Sequence, residues 1–374
     1  MNILIVGGGI GGLTCAFSLE RAGHAVTLVE RAPQFSPVGA GIVLAPNARS
    51  ILQWLGVPLE RYGERVTALD VVDAAGKRLQ RMDASRLKAR YGEPWAFARP
   101  ALHEALCEAL PARVSLRLGV NLRGLRVEKD AVYATFEGAT AEERYDVVVG
   151  ADGLRSSVRE HVVGPVEYRY SGMTCYRGLI PNPGLERAIE AWGGPARIGM
   201  VPLAHGQLYY YLVLSAPRRA PALTLLELQA ACAHIRGEVT QLWAALKEQP
   251  PLHHDLEELD APVWGVERVL LLGDAAHAMT PNQGQGAAMA IEDALALTSA
   301  LEPGVEGALG RYVTLRHARV RAVQLDSRRL GQLAHLDNAA LGFVRDNLLR
   351  LLPQRMADAQ YERLVQPGLS LLLQ

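Results

Sequence analysis

Cysteine is scarce in this 374-residue chain, and its charge leans to neither sign; each shortage removes a class of function. Cys15, Cys107, Cys175 and Cys232 are the whole thiol inventory. No two form a CxxC pair and no histidines stand near them at metal-ligand spacing. Neither a disulfide framework nor a metal centre is therefore expected, and a reducing compartment is the simpler reading. Thirty-nine Lys and Arg balance 39 Asp and Glu, and no basic block breaks the balance. This argues against nucleic acid or an anionic membrane as the main partner. No uninterrupted apolar stretch approaches the ~20 residues that a membrane-crossing helix needs. Met1 leads straight into Ile3-Leu4-Ile5-Val6, with no basic segment before the run and no small-residue cleavage site after it. The run reads as a buried strand of a cytoplasmic protein, not as a signal peptide.

What is present is an ordinary globular composition, 49% hydrophobic and 21% charged, in a chain longer than the roughly 250–300 residues that one core serves. Two domains are expected. Residues 2–6 form an apolar, β-branched run, 13–22 read as a helix closed by Gly23, and Ala25–Glu30 read as a second strand, which together make a βαβ unit. Tyr145–Gly150 and Arg268–Gly273 read as further strands of the same sheet, each delivering a glycine and an aspartate to its carboxyl edge. Between them lie less regular, strand-like segments, among them Arg197–Pro202 and Leu208–Leu214. The spacing predicts an α/β fold: a Rossmann-like nucleotide-binding domain over 1–65, 98–165 and 263–320, an inserted sheet-based substrate domain over 66–97 and 166–262, and a helical C-terminal region over 321–374. The apolar residues Leu364-Val365 and Leu371–Leu373 are expected to dock on the chain itself rather than to form a dimer contact. Monomer and homodimer both stay open.

Gly7-Gly8-Gly9-Ile10-Gly11-Gly12 satisfies GxGxxG between a strand and a helix. Gly7 permits the tight turn, Gly9 lets a pyrophosphate approach the backbone, and Gly12 lets helix and strand pack closely, while the helix N-terminus supplies amide donors. Glu30 closes the second strand, where an acid accepts bonds from a ribose, and Arg31 follows it as a further cofactor contact. The motif alone does not choose between FAD and NAD.

Two later segments make that choice. Asp152-Gly153-Leu154-Arg155-Ser156-Ser157-Val158-Arg159 and Gly273-Asp274-Ala275-Ala276-His277-Ala278-Met279-Thr280-Pro281, with the opening glycines, resemble the three ordered signatures of flavoprotein aromatic hydroxylases of the p-hydroxybenzoate hydroxylase type. The likeness extends to salicylate and urate hydroxylases. It implies FAD on a GR2-type domain, with Asp274 on the ribityl chain, Asp152-Gly153 near the pyrophosphate and the nicotinamide cofactor, and Arg99 as an FAD contact. In Asn282–Met289, Gly284, Gly286 and Ala287 allow close approach to a planar ring, and the helix dipole favours charge on the reduced flavin. For His277, packing and catalysis both stay open.

The resemblance also implies the reaction. NADH or NADPH reduces the flavin, O2 adds to give a C4a-hydroperoxide, and its distal oxygen attacks a small electron-rich aromatic or heteroaromatic ring. No second GxGxxG is present, which fits a nicotinamide cofactor that visits transiently. Arg197 and Tyr209 are the candidate catalytic residues, because their segments resemble those of bacterial FAD-dependent urate hydroxylases; an arginine can neutralise an anionic ring and a tyrosine can orient it. Arg197 stands in an apolar strand, where a charge without a partner is costly and a ligand can be that partner. Tyr209 and Tyr211 share one strand face and Tyr210 takes the other. Packing of that face as core is the alternative, and a part for Tyr211 in catalysis stays open. Asn282 replaces an aspartate of the urate enzymes, which puts urate in doubt. An FAD-dependent reductase without oxygen insertion and a non-catalytic flavin-binding protein are the competing functions. Oxygen-dependent product formation separates the first, and ring-stimulated NAD(P)H oxidation the second.

Overall fold

The apolar run Asn2–Val6 lies at the middle of a parallel sheet, paired with Ala25–Glu30 on one side and Val147–Gly150 on the other. The computed structural model describes residues 1–35, 39–246 and 250–373. This first sheet has the order Gly265–Val266, Val269–Leu271, Val147–Gly150, Asn2–Val6, Ala25–Glu30, Ser115–Leu118, and only the short Gly265–Val266 edge runs antiparallel. The helices Ile10–Arg21 and Ser157–Val163 and an antiparallel three-stranded sheet (Leu122–Val127, Val132–Phe136, Glu143–Tyr145) pack against it, so its strands are apolar; Ile3, Leu4, Ile5, Val147, Val148 and Val149 are fully buried. Because three adjacent strands run the same way, residues 7–12, 151–155 and 273–277 all emerge at one carboxyl edge.

The segments with alternating character build a seven-stranded second sheet. Its order is Leu252–Leu259, Tyr168–Pro181, Gln207–Ser215, Ala196–Leu203, Ala188–Trp192, Ala68–Asp73, Arg78–Asp83. Period-two alternation gives its faces different work. Tyr176, Ile198, Met200, Tyr210 and Leu212 pack with Leu228, Cys232 and Leu242 into a core beneath the helices Leu225–Ala231 and Gln241–Ala245. Arg177, Tyr209, Tyr211 and Arg197 occupy the other face, as their strand registers require. This face meets the first layer: the Tyr209 ring packs on Gly41, where a Cβ would lie 2.2 Å from it.

The C-terminal region is helical, in Ala308–Ala334, Ala339–Leu351 and Gln354–Ser370. Residue 321, where the sequence reading divides the chain, falls inside the first of these, because no glycine or proline interrupts 311–330. That helix touches both layers. Gln324 Nε2 donates to the Leu259 carbonyl, Arg328 pairs with Glu258, and Ser327 Oγ donates to the Thr280 carbonyl. The last helix docks on its own chain: Val365 is fully buried beside Ala45 and Tyr91, and Leu364, Leu371 and Leu372 reach the main core. Among the described residues no helix is long and apolar enough to cross a membrane.

Removing two methyl groups from a site that cannot collapse costs their transfer energy and leaves a void. Val365→Ala should therefore lower the unfolding free energy by about 2 kcal/mol, read as a shift of the urea midpoint. An unmoved midpoint would show that the last helix contributes no stability.

Candidate active site

The glycine turn is fixed by close contacts. Gly7 has φ +110°, and a Cβ on it would stand 2.5 Å from the Ala151 carbonyl oxygen; one on Gly12 would stand 1.9 Å from the Gly7 carbonyl oxygen. Gly9 differs: a Cβ there would meet nothing within 4 Å. It precedes the helix Ile10–Arg21 in extended conformation with no side-chain cap, leaving the helix amides open to the cleft. Glu30 ties the turn down, its two oxygens accepting from Gly8 N at 2.8 Å and Ala32 N at 2.9 Å. Arg31 is exposed beside it. His103 Nε2 donates to the Gly8 carbonyl at 2.6 Å. The sequence reading missed this anchor, since a histidine in a helix 95 residues away carries no spacing signal.

Asp152 spends one oxygen on the helix Ser157–Val163, accepting from Ser157 N at 2.7 Å, Ser157 Oγ at 2.9 Å and Val158 N at 3.1 Å. Its other oxygen is buried without a partner. Asp274 and Arg99 are both accessible to water, and neither makes an ion pair among the described residues. Arg99 is nonetheless ringed by protein. That low-polarity setting, and then the Arg177 guanidinium, pull its pKa below the usual arginine value, against Asp274 and Tyr209. Gly284 takes the left-handed conformation, φ +63°, that closes the 281–283 turn. The helix Gly286–Leu301 then starts beside Asp274, with the carboxylate 3.9 Å from the Cβ position of Gly286 and Ala287 half-buried next to it. Glycine turn, Asp152, Arg99, Asp274 and 284–287 thus come together at one edge.

Beneath that edge lies a buried ionic cluster that the sequence reading did not find. Asp293 accepts from Gly273 N at 3.0 Å, His277 Nε2 at 2.5 Å and Arg316 Nε at 2.7 Å. Glu292 accepts from Arg316 at 2.7 Å, Arg319 at 3.1 Å and Asn47 Nδ2 at 2.7 Å, and Asn47 also donates to Gln285. One cluster therefore holds both the 273–277 turn and the start of the 286–301 helix. Burial works against ionisation of Asp293, but His277 and Arg316 overcome it and hold the carboxyl down at about 2. His277 is 1% exposed and bonded to Asp293, which makes it scaffold. The signal was present in sequence, as two adjacent acids inside an otherwise apolar helix.

On the second sheet the structure changes the account of Arg197. It is 3% exposed and has three protein partners: Glu190 through NH1 at 3.2 Å, Asn282 Oδ1 through NH2 at 2.6 Å, and His335 Nε2 through Nε at 2.8 Å. The expectation that its charge would lack a protein partner is corrected: strand alternation sets Glu190 beside it, and the long helix supplies His335. Burial and then Arg197 push the His335 imidazole down to about 3, so it stays neutral and accepts. Tyr211 donates to Glu190 at 2.7 Å, and burial followed by Glu190 drives its own pKa far up. Tyr209 lies on the same face with its ring centroid 5.5 Å from that of Tyr211.

Comparison with known proteins gives a consistent picture. The FAD binding domain family matches residues 1–326. A 2-heptyl-3-hydroxy-4(1H)-quinolone synthase of Pseudomonas aeruginosa is 36% identical over 97% of this chain and 97% of its own. A 3-amino-4-hydroxybenzoate 2-monooxygenase of Streptomyces platensis is 37% identical over 92% of this chain and 91% of its own. Klebsiella pneumoniae HpxO, solved with FAD and uric acid, shares the fold at a TM-score of 0.88 and 24% identity, over 99% of this chain and 97% of that one.

The Asp293 carboxyl, held down to about 2 from the ordinary 3.8, stabilises the fold fully above its unfolded value, and this contribution is lost as pH falls from about 4 to about 2. It amounts to about 2 kcal/mol. Unfolding free energies measured across that window should fall with acid, and Asp293→Asn, less stable throughout because it leaves Arg316 short of a counter-charge, should show a flatter profile. Equal slopes would remove Asp293 from the acid response.

Proposed function

We propose, on the premise that the chain belongs to the FAD binding domain family, that it is an FAD-dependent monooxygenase hydroxylating a small aromatic or heteroaromatic ring. The observation that carries this is the convergence of the glycine turn 7–12 and two glycine-and-aspartate loops on one carboxyl edge, with Asp274 and Arg99 accessible and unpaired among the described residues. The relatives matched over nearly their whole length, one named as a synthase of a 3-hydroxy-4(1H)-quinolone and one as a monooxygenase of an aminohydroxybenzoate, support the reaction class.

The residues present fit FAD. A side chain at Gly7 or Gly12 would collide with backbone, whereas the space over Gly9 is free, as a pyrophosphate needs. Glu30 would hold the adenosine ribose with Arg31 near it, Asp152 would offer its unpartnered oxygen near the pyrophosphate, and Arg99 would contact the cofactor. Asp274 would bind the ribityl hydroxyls, and Gly284, Gly286 and Ala287 would lie against the ring. When bound, FAD supplies the redox chemistry, taking a hydride from NADH or NADPH and passing one oxygen atom of O2 to the substrate.

The chain itself has to hold the substrate ring and keep water out. Tyr209 borders the cleft from the second sheet, and its hydroxyl, pushed up by burial, stays protonated and able to donate. Arg197 acts as a positioning residue. It grips Asn282 of the 281–283 turn and Glu190 of the sheet together, which sets the gap between the substrate face and the loop that receives the flavin.

The purified protein should be yellow, release FAD in acid, and oxidise NADH or NADPH faster when a suitable ring is added, with product heavier by one oxygen. Product formed at equal rate without O2 would replace hydroxylation with a reductase activity. Asp274→Ala should weaken FAD binding by about 1.5–3 kcal/mol, measured by fluorescence titration of the apoprotein. Unchanged affinity would take Asp274 out of the cofactor site.

A further inference from the structure

Several arginines in and beside the second sheet are paired with acids. Arg169 has Glu258, Arg81 and Arg187 have Asp70, and Arg197 has Glu190. Arg177, on the Tyr168–Pro181 strand, makes no ion pair among the described residues, and its half-buried side chain has an Nε shielded from water without a hydrogen-bond partner. Its register sets it opposite Tyr211 and two pairs along from Tyr209, on the same sheet face as both.

The charged surroundings sharpen the point. Arg99 is close enough for the Arg177 guanidinium to disfavour its charge, second to burial. Across the neighbouring strand His254 is pushed down to about 4, by burial first and then by Arg177, so it adds no charge near neutral pH. Asp274 acts on Arg99 from the cofactor side. An unpaired, half-buried guanidinium is costly to keep, and it is tolerated where a ligand brings the missing anion.

We propose that Arg177 is the substrate-selecting residue, binding the carboxylate of an aromatic acid and laying its ring along Tyr209. The inference rests on the hydroxylase reading above and narrows it to substrates of the benzoate kind over neutral heterocycles. A guanidinium fork matches a planar carboxylate through two parallel bonds, which a phenol or a quinolone carbonyl cannot reproduce. Arg197 does not compete for that role, since it is 3% exposed and already bonded to Glu190, Asn282 and His335.

The test uses the FAD-loaded enzyme and reads equilibrium binding from the flavin absorbance change, with amino- and hydroxybenzoates, their primary amides and an unsubstituted 4(1H)-quinolone as probes. Wild type should bind an acid more tightly than its amide. Arg177→Met should raise the Kd of the acids by about tenfold or more, leave the amides unchanged and keep its FAD; Arg177→Lys should recover part of the loss. Equal losses for acid and amide, release of FAD by both variants, or a wild type that prefers the quinolone would each overturn the assignment. Should Arg177→Met fail to fold, Arg177→Lys and the wild-type acid-to-amide ratio still decide it. A wild type that carries no FAD, or adds no oxygen to any ring, would instead refute the hydroxylase reading.

Discussion

Asp293 is a carboxylate with no access to water, and the geometry of the cofactor edge depends on the three donors it accepts from. Gly273 N, His277 and Arg316 converge on it from a turn, a short helix and a long helix. A buried ion pair is a weak source of net stability, because desolvation consumes most of the attraction. What the cluster provides here is position. Gly273 adopts φ +59°, and with its amide held by Asp293 the next residue, Asp274, stands exposed beside the start of the helix Gly286–Leu301. The same cluster, through Glu292, Asn47 and Gln285, sets where the following helix begins. Two pieces of one site are thus referenced to one buried charge.

Function on the second sheet follows from a period of two. Tyr209, Tyr210 and Tyr211 are chemically alike and adjacent, yet the middle ring packs under the helices and the outer two lie on the opposite face. No loop is needed to deliver them. The sheet offers a rigid grid of side chains at fixed spacing, so residues such as Arg177 can change specificity without disturbing the packing beneath.

The parts legible in sequence were those whose cause is local. Gly7, Gly9 and Gly12 are dictated by a turn six residues long, Glu30 by the strand it closes, and the face shared by Tyr209 and Tyr211 by alternation alone. The parts missed were set by distant partners. Arg197 meets Asn282 and His335, which stand 85 and 138 residues away, so an apolar strand context made its charge look unsatisfied. His103 and Arg177 belong to no motif and gain meaning only from what the topology brings beside them. Asp293 lay between these cases, since adjacent acids in an apolar helix announce a buried partner without naming Arg316.

The unbroken helix Ala308–Ala334, 27 residues and therefore about 40 Å long, has a mechanical consequence. Near one end Arg316 grips the cofactor edge; further along, Gln324, Ser327 and Arg328 hold the turn after His277 and the second sheet, and His335 caps it against Arg197. A rod fastened at so many points leaves the two layers no hinge. The spacing between the two layers is then carried by one helix and its side chains rather than by the loops that connect them.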